Sequence, residues 1–373
     1  MAFEEYLDLD LRPRALVEPV PSDQRIAMIG LGRVVQNNVL PAYLARGYTV
    51  VAGADPDAGA RERTKRHGVP AVYADYREML DAERPDVVDI NLRWDRGMSP
   101  LRIEAVEEAA TRGIHILIAK PLAETYEQCL AIVAAAERHG VTLAVNQNSR
   151  YAPTFFACRR LIEAGAIGRL VSASISWDAA RGVQHDPSFN TLHDVTVHQT
   201  DILLSWFDEE PLEVFADQTV RTPVGSVVTA IMRFEGDRNA TLRDDFISEL
   251  RNSWPASIAG DEGSLDGVDD IEVPEPGQPR MARGTLRLSR HSHPGVNVQV
   301  PLRYRYAPES FASTMGDLLL AARDGTQPWA SGRNVLRTMR TLFAIDESAR
   351  THRPVSPSSI GPDAVPLARD AFG

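Results

Sequence analysis

Two groups of residues in this sequence have the types and spacing that acid–base chemistry requires. The first is Lys120, which ends the apolar run of "IHILIAKPLAE" and is followed by a proline. Of the 40 basic residues only Lys65 and Lys120 are lysines, so the chain uses at a predicted strand end a residue type that it otherwise avoids. A lysine ammonium is compact and can direct one donor at one oxygen. Lys120 is therefore a candidate for stabilising a reacting oxygen, the alternative being a solvated lysine at a strand end.

The second group lies in "LHDVTVHQTDILLSWF", which the spacing predicts to be a helix. At about 100° per residue, Asp194, His198 and Asp201 fall within about 60° of one another, with apolar residues on both sides. Burying unpaired carboxylates would be costly, so the stripe should face a ligand cavity or a buried polar network. A histidine there is a natural proton acceptor near neutral pH.

Metal binding is the competing interpretation of this segment, because His185, His193 and His198 lie near two acids. On a helix His193 and His198 point about 140° apart. No short ligand pair completes a set. We therefore expect no metal site.

A glycine turn in the first part of the chain predicts a nucleotide site. A short apolar strand at 25–29 leads into Gly30 and Gly32, a helix follows, and a second strand at 48–54 delivers Asp55. This is the order of a dinucleotide-binding βαβ unit, in which the glycines let the backbone approach a pyrophosphate at the helix N-terminus. The alternative is an ordinary tight strand-to-helix turn.

Asp55 also predicts which dinucleotide binds. A carboxylate at the end of the second strand can accept hydrogen bonds from the adenosine ribose hydroxyls, and it repels a 2′-phosphate. We therefore expect NAD rather than NADP. Val35 occupies the third glycine position of the motif, so the helix should pack less closely on its strand.

The elements that must position these residues differ between the two halves of the chain. In the first half short strands alternate with helices, which predicts a doubly wound parallel sheet of the Rossmann type. In the second half longer β-segments follow one another, which predicts a separate α+β domain with a large, mostly antiparallel open sheet. These segments are "LVSASISW", "EVFADQTVRT", "SVVTAIMRFEG", "NATLRDDFIS", "GTLRLSR" and "VNVQVPLRYRY".

Composition excludes several classes of partner. The 51 acidic and 40 basic residues give a net charge of -11, which disfavours binding to nucleic acids or anionic lipid. The two cysteines, Cys129 and Cys158, are too few for a disulfide framework. We find no signal peptide and no apolar run long enough for a membrane helix. We therefore expect a cytoplasmic protein that binds a small molecule.

Taken together, the motifs resemble one enzyme family. "GLG" after the first strand, "AD" after the second, "AKPLAE", "NQNSRYAP", "EAGAIG" and the D-x-x-x-H-x-x-D run look like the glucose-fructose oxidoreductase, inositol dehydrogenase and MocA-like family of NAD(P)-dependent oxidoreductases. The resemblance runs from about residue 25 to residue 350 and includes two closing helices. It implies four regions: an N-terminal extension (1–24), an NAD-binding Rossmann domain (25–148), a substrate-binding and oligomerisation domain (149–350) and a C-terminal tail (351–373).

The resemblance also implies roles for individual residues. The catalytic residues would be Lys120, Asp194 and His198. The cofactor would be bound by Gly30, Gly32, Arg33, Val34, Asp55, Asn91, Lys120 and Pro121. The substrate would be bound by Lys120, Asn148, Arg150, Asp194, His198 and Asp201. Two features depart from the family pattern: Ala119 replaces a glutamate before the lysine, and "LRWDRGMSP" replaces a shorter loop beside the cofactor.

The function implied is oxidation of a secondary alcohol of a sugar, cyclitol or related polyol by NAD, or reduction of the corresponding ketone. The family also implies a homodimer or homotetramer paired through the exposed face of the second sheet. Two alternatives stay open. One is a redox-neutral, NAD-dependent glycosidase or lyase, which would turn over without net NADH. The other is a non-catalytic NAD-binding sensor, which should lack the lysine and the histidine.

Overall fold

The computed structural model describes residues 3–21, 23–94, 97–178, 191–222, 225–247, 253–271 and 282–364. In these ranges the helices are α1 Phe3–Leu7, α2 Arg14–Val17, α3 Leu40–Ala45, α4 Ala58–Arg66, α5 Tyr76–Glu83, α6 Ser99–Thr111, α7 Tyr126–Arg138, α8 Pro153–Glu163, α9 Val197–Phe207, α10 Glu309–Asp324 and α11 Gly332–Thr351. The strands are β1 Arg25–Ile29, β2 Thr49–Ala54, β3 Ala71–Tyr73, β4 Val87–Ile90, β5 His115–Ala119, β6 Leu143–Asn146, β7 Leu170–Asp178, β8 Glu213–Thr222, β9 Gly225–Phe234, β10 Arg238–Asp245, β11 Ser253–Gly260, β12 Gly263–Ile271, β13 Ala282–Arg290 and β14 Asn297–Gln299.

The chain divides into two compact units. The first unit comprises Pro13–Asn148 and Ala307–Leu336, and the second comprises Met1–Arg12, Ser149–Tyr306 and Arg337–Gly373. The compact units group residues 13–24 and 307–336 with residues 25–148. The bounds 25–148 and 149–350 given to the two domains stay a prediction.

The first unit is built on a six-stranded parallel sheet in the order β3-β2-β1-β4-β5-β6. This is the strand order of the dinucleotide-binding Rossmann fold, so the predicted fold class is confirmed. The carboxyl ends of β1 and β4 are adjacent at the point where the order reverses, which is where such sheets bind ligands.

Helix α10 belongs to the first unit because its apolar face completes that unit's core. Met315, Leu318 and Leu319 are buried in one cluster with residues of β1, α3 and β5. The same helix packs on α2, where Arg14 forms an ion pair with Asp324. The sequence alone does not show that α10 belongs to the first unit, because nearly 160 residues of the second unit lie between α10 and β6.

The second unit is built on an eight-stranded sheet in the order β14-β13-β12-β11-β7-β10-β9-β8. All neighbouring pairs are antiparallel except β7 and β10, so the predicted mostly antiparallel sheet is confirmed. Its buried face carries apolar side chains at alternate positions, as in β7 with Ala173 and Ile175. Helices α8 and α9 pack on that face.

Two strands of this sheet are missing from the prediction, and one is shorter than predicted. The strands β11 and β12 have weak sequence signals, because β11 contains Pro255 and β12 contains several acids and glycines. The segment "VNVQVPLRYRY" forms only the three residues of β14. Pro301 lacks the N–H donor that a continuing strand would need.

One residue of each segment predicted to stand outside the domains, Tyr6 and Val355, packs within the second unit. Tyr6 is buried, and the Arg290 guanidinium lies 5.2 Å from the centre of its ring. Val355 exchanges backbone hydrogen bonds with Val214. Across the described ranges, no helix combines the length and the apolar character that a bilayer crossing requires.

Candidate active site

The glycine turn after β1 leaves its backbone open to a ligand. Gly30 has φ +83°, and a Cβ atom there would lie 2.9 Å from the carbonyl oxygen of Asn91, so this position requires glycine. At Gly32, no described atom lies within 4 Å of the place that a Cβ would take. The chain becomes helical immediately afterwards, and its first N–H groups favour an anion. This geometry fits the pyrophosphate of a dinucleotide.

Asp55 is fixed at the same turn by two backbone hydrogen bonds. The N–H of Leu31 donates to Oδ2 at 2.8 Å, and the N–H of Asp57 donates to Oδ1 at 2.8 Å. An ionised carboxylate has about four acceptor positions. Two therefore remain for hydroxyl donors, which fits the ribose of a nucleotide.

A cavity of about 410 Å³ opens beside this carboxylate. Of the predicted cofactor residues, it is lined by Gly30, Gly32, Asp55 and Asn91. Asp75, Tyr76 and Arg77 also line it, and the guanidinium of Arg77 lies 4.6 Å from the centre of the Tyr76 ring. The glycine turn, the Asp55 carboxylate and an aromatic ring thus border one cavity, which fits an adenosine group.

The remaining predicted cofactor residues lie around the carboxyl edge of the parallel sheet. Arg33 and Val34 begin the helix after the glycine turn and are both exposed, Val34 by 58%. Lys120 follows β5, is partly buried, and is joined to Pro121 by a cis peptide bond. Asn148, predicted to bind substrate, is buried just beyond β6.

A buried arginine that sequence reasoning missed connects two of these strand ends. Arg102 on α6 is fully buried and donates to the carbonyl of Leu92, at 3.2 Å, and to the carbonyl of Ala119. Burial lowers the pKa of its guanidinium to about 10. Arg102 therefore holds the backbone beside Lys120 and the backbone after Asn91 in one arrangement.

The sequence does contain a signal for Arg102. The buried stripe of α6 includes Ser99, Arg102, Val106 and Ala109, at the spacing of one helix face. An arginine on such a stripe needs buried acceptors. Here the acceptors are main-chain carbonyls, which the sequence does not reveal.

Two amides at the end of β6 carry buried polar atoms with unmet hydrogen-bonding capacity. The Gln147 side chain is fully buried, and both its oxygen and its nitrogen lack a hydrogen-bond partner among the described residues. The same holds for Oδ1 of Asn146. Such orphaned groups fit a site that a polar ligand or water completes.

In the second unit the predicted helix of the Asp194 segment is not a single α-helix. Leu192–Thr196 forms a π-helical turn, and α9 begins only at Val197. A π-turn has more residues per turn, so the angle predicted between Asp194 and His198 does not hold. Asp194 is partly buried, and His198 is 6% exposed.

A buried acid on the neighbouring sheet anchors this π-helical turn. Oγ1 of Thr196, between Asp194 and His198, donates to Oδ2 of Asp244 at 2.6 Å. Burial is the main cause that raises the pKa of Asp244 to about 8; the Thr196 hydrogen bond opposes this shift, and the nearby Asp178 carboxylate adds to it. The Asp244 carboxyl is therefore neutral at neutral pH in the folded protein.

This raised pKa predicts a loss of stability as the pH increases. The unfolded carboxyl ionises near its ordinary pKa of 3.8, whereas the folded one holds its proton until about 8. Between these values the folded state binds more protons, so the free energy of unfolding falls with rising pH, by up to about 6 kcal/mol. Asp244→Asn should remove this part of the pH dependence, because the amide stays neutral.

The check is to measure the melting temperature of both proteins from acidic to alkaline pH. As the pH rises from about 4 to about 8, the melting temperature of Asp244→Asn should increase steadily relative to that of the wild type. Above pH 8 the difference between the two proteins should stay constant. Asp237→Asn, on an exposed turn, is the matched control and should follow the wild type. Parallel curves for Asp244→Asn and the wild type would contradict the assignment.

Asp201 and Arg150, both predicted to bind substrate, are paired with each other. Nε of Arg150 donates to Oδ2 of Asp201 at 2.7 Å, and both side chains are 1% exposed. Thr338 Oγ1 donates to Oδ1 of Asp201 at 2.9 Å. The sequence predicts that the polar stripe faces either a ligand cavity or a buried polar network. Asp201 lies in a buried polar network.

His198 lies against aromatic side chains. Its ring centre is 6.4 Å from that of Trp177 and 6.4 Å from that of Trp254. These tryptophans lie on β7 and β11, far apart in the sequence, and sequence reasoning missed both. His185, named in the competing metal interpretation, lies outside the described residues, and His193 is fully buried.

Comparison with protein families identifies the class of protein. Residues 24–147 match the oxidoreductase family with an NAD-binding Rossmann fold, and residues 155–266 match the GFO/IDH/MocA C-terminal domain. The two matches together cover more than half of the chain. The chain therefore belongs to the GFO/IDH/MocA family of oxidoreductases, and the resemblance predicted from its motifs is confirmed.

Individual relatives are distant but cover nearly the whole chain. D-apiose dehydrogenase of Paraburkholderia graminis is 27% identical, over 93% of each chain. The 1,5-anhydro-D-fructose reductase of Ensifer adhaerens is 26% identical, over 88% of this chain and 96% of its own. A solved oxidoreductase from Agrobacterium radiobacter, in complex with NAD+, L-tartaric acid and magnesium, is 18% identical with a TM-score of 0.77, over 91% of this chain and 100% of its own. At that identity the likeness shows the fold alone.

Proposed function

We propose that this protein is an NAD-dependent oxidoreductase that transfers a hydride between a secondary alcohol of a sugar, cyclitol or related polyol and nicotinamide. Family membership supports the reaction type, and the relatives described above are named as a dehydrogenase and a reductase of sugars. The observation that carries the proposal is the presence of both Lys120, directly after the paired strand β5, and His198, on the buried helix α9. A sensor that only binds NAD would need neither.

The chemistry assigned to each residue follows from its type and position. His198 takes the proton of the substrate hydroxyl, and Asp194 orients the substrate and the histidine. Lys120 donates a hydrogen bond to the reacting oxygen and stabilises the negative charge that develops there. When bound, NAD supplies the nicotinamide that accepts the hydride. Arg102, by holding the carbonyl of Ala119, fixes the backbone that presents Lys120.

Arg150 and Asp201 have a supporting role in this proposal. Their charges neutralise each other in the interior, and removing one would leave the other buried and unpaired. The pair anchors α9, which carries His198. We therefore assign both residues to positioning rather than to direct substrate contact.

The test of the proposed reaction is a screen for NADH absorbance. The purified full-length chain is incubated with NAD and a panel of sugars, cyclitols and linear polyols. At least one compound should produce NADH in proportion to its oxidation. Consumption of substrate without any NADH would instead identify the redox-neutral alternative.

Asp55 should determine the choice between NAD and NADP. We expect the wild type to bind NAD at least about tenfold more tightly than NADP, a difference of about 1.4 kcal/mol. Asp55→Asn should weaken NAD binding and reduce this preference, because the repulsion of a 2′-phosphate disappears. The measurement is calorimetric titration of both proteins with both cofactors.

A control variant separates this effect from general damage to the cavity. Asp75 lines the same cavity, and Oδ1 caps α5 by accepting the N–H of Arg77. Asp75→Asn should therefore leave the NAD preference unchanged. A wild type that binds NADP tenfold more tightly than NAD would show that the role given to Asp55 is wrong.

We also propose a homodimer or homotetramer in the cytoplasm, paired through the outer face of the second sheet. That face carries small polar side chains such as Ser172, Ser174 and Ser176 along β7. Beside them Phe215 and Ile231, paired in register, are 43% and 46% exposed. Exposed apolar side chains on the two strands at this end of the sheet support an interface there.

A further inference from the structure

The chain makes a π-helical turn directly before α9. This turn, Leu192–Thr196, carries Asp194, and α9 carries His198. The N–H of Val197 donates to the carbonyl of Leu192, five residues back, which is the hydrogen bond of a π-turn. Such turns are rare and occur mostly as single turns within α-helices, so the α-helical form is the ordinary alternative for this segment. A contact outside the helix is therefore needed to favour the wider turn.

The Thr196 hydroxyl supplies such a contact. Its Oγ1 lies 2.6 Å from Oδ2 of Asp244, and both side chains are fully buried. The same oxygen lies 3.4 Å from the carbonyl oxygen of Thr191, five residues back in the chain. A hydroxyl has one proton to donate, and the shorter contact shows that the proton goes to the carboxyl. The hydroxyl therefore joins the turn to strand β10 of the second sheet.

Strand β10 gives the Asp244 carboxyl a fixed place. The strand pairs through Asp244 with β7 on one side and with β9 on the other. The guanidinium of the neighbouring Arg243 serves two other acids, because it donates to Asp178 at 3.0 Å and to Asp245 at 2.7 Å. The sheet thus holds the neutral Asp244 carboxyl, which in turn holds Thr196.

We propose that Asp244 is a positioning residue that, through Thr196, keeps this turn in its π-helical form. The form of the turn sets where Asp194 lies relative to His198. Without the contact the turn relaxes towards an α-helix, which has fewer residues per turn, so Asp194 rotates about the helix axis. This inference rests on the proposed function. It concerns how the catalytic group is held and leaves the reaction unchanged.

The first experiment removes the donor of this contact. Thr196→Val keeps the size of the side chain, and it should lower kcat on the best substrate of the panel at least about tenfold, because misplacing a catalytic group by about 1 Å costs on the order of 100-fold. NAD affinity, measured by titration, should not change. Thr196→Ser restores the hydroxyl and should recover most of the loss. Thr285→Val, exposed on β13, is the matched control and should keep the wild-type kcat.

Melting temperatures establish that each variant folds. An unchanged kcat in folded Thr196→Val would overturn the inference while the proposed function stands. No NADH from any compound of the panel with the wild type would overturn the proposed function, and the positioning role with it.

Hydrogen–deuterium exchange reports on the turn without any turnover. In Thr196→Val the turn fluctuates between π-helical and α-helical bonding, so the N–H groups of the turn and of the start of α9 should exchange faster than in the wild type. Helix α10, in the first unit, should exchange equally in both proteins. Equal exchange of the turn in both proteins would overturn the inference, whatever the turnover.

The charge of Asp244 should also affect the turn. Within the described ranges, the titratable side chains on the turn, on α9, on β7 and on the adjoining part of β10 are His193, Asp194, His198, Asp201, Asp178, Arg243 and Asp245, and the β9 residue opposite Asp244 is Val228. Of these, Asp178 adds to the raised pKa of Asp244 and Arg243 opposes it. Once ionised, the buried carboxylate is costly to keep in this interior and repels Asp178, which drives it away from Thr196.

The second experiment therefore follows kcat with pH. As the pH rises through about 8, Asp244 ionises in the folded protein and wild-type kcat should fall. Asp244→Asn keeps an uncharged acceptor for Thr196, so it should retain most of the turnover at pH 7 and lose this alkaline fall. Asp237→Asn, on an exposed turn, should follow the wild type. Circular dichroism at each pH establishes that the proteins stay folded, and identical alkaline profiles for Asp244→Asn and the wild type would overturn the inference.

Discussion

Replacing Lys120 with arginine is expected to reduce turnover at least about 100-fold, the scale of losing one preorganised donor to a reacting oxygen. Arginine keeps the charge, but its wide planar fork cannot place a single donor where the compact ammonium does. The variant should still fold and bind NAD. The measurement is kcat on the best substrate of the panel, with NAD affinity determined separately by titration.

Lys65 provides a matched control for this substitution, since it is the one other lysine in the sequence. It is exposed on α4. Lys65→Arg should therefore keep full turnover. Wild-type turnover in Lys120→Arg would show that charge alone suffices at this strand end, and it would remove Lys120 from the catalytic group.

Replacing His198 with glutamine should also reduce turnover by at least about 100-fold, because a positioned base contributes on this scale. Glutamine keeps a polar side chain on the buried face of α9 but cannot accept the substrate proton. NAD affinity should not change. The variant should also lose the pH dependence of kcat/KM that a titrating base gives the wild type.

His139 provides the comparison for this variant. It is partly exposed and pairs with Glu107 at 2.9 Å, in the first unit. His139→Gln should therefore retain both turnover and the wild-type pH profile. A His198→Gln protein with near-normal turnover and an unchanged pH profile would eliminate His198 as the proton acceptor.

The glycine turn and the position of Asp55 beside it can be predicted from the sequence because their signals are local. The strand, the glycine turn, the helix and Asp55 lie within about 30 consecutive residues. A hydrogen bond from the turn to the Asp55 carboxylate joins the two ends of this segment. Strand ends in a parallel sheet share one edge, so the placement of Asn91 and Lys120 follows from the alternation of strands and helices.

The surroundings of Asp194 and His198 depend on which strands of the second sheet are neighbours, and no local sequence pattern encodes this. Trp177 and Trp254 meet because β7 and β11 are neighbours, and β11 has too little β-character to be predicted. Asp244 reaches Thr196 only through the register of β10 beside β7. The π-helical turn that carries Asp194 alters an angle that was calculated for an α-helix.

The sequence also does not show which group compensates a buried charged side chain. The pairing of Asp201 with Arg150 requires knowledge of how α9 packs in the second unit. Arg102 satisfies its charge on backbone carbonyls, which carry no sequence identity. A sequence can thus mark a charged residue as buried, but it cannot show whether a ligand, another side chain or the backbone compensates it.

Transfer of deuterium tests the central claim most directly. The best substrate of the panel is labelled with deuterium on the carbon of its reacting hydroxyl and incubated with the full-length chain and NAD. We predict that the deuterium appears on the nicotinamide ring, with one reduced cofactor formed for each ketone or lactone. Deuterium that remains in the product or exchanges with water, while the nicotinamide stays unlabelled, would contradict hydride transfer as the function of this protein.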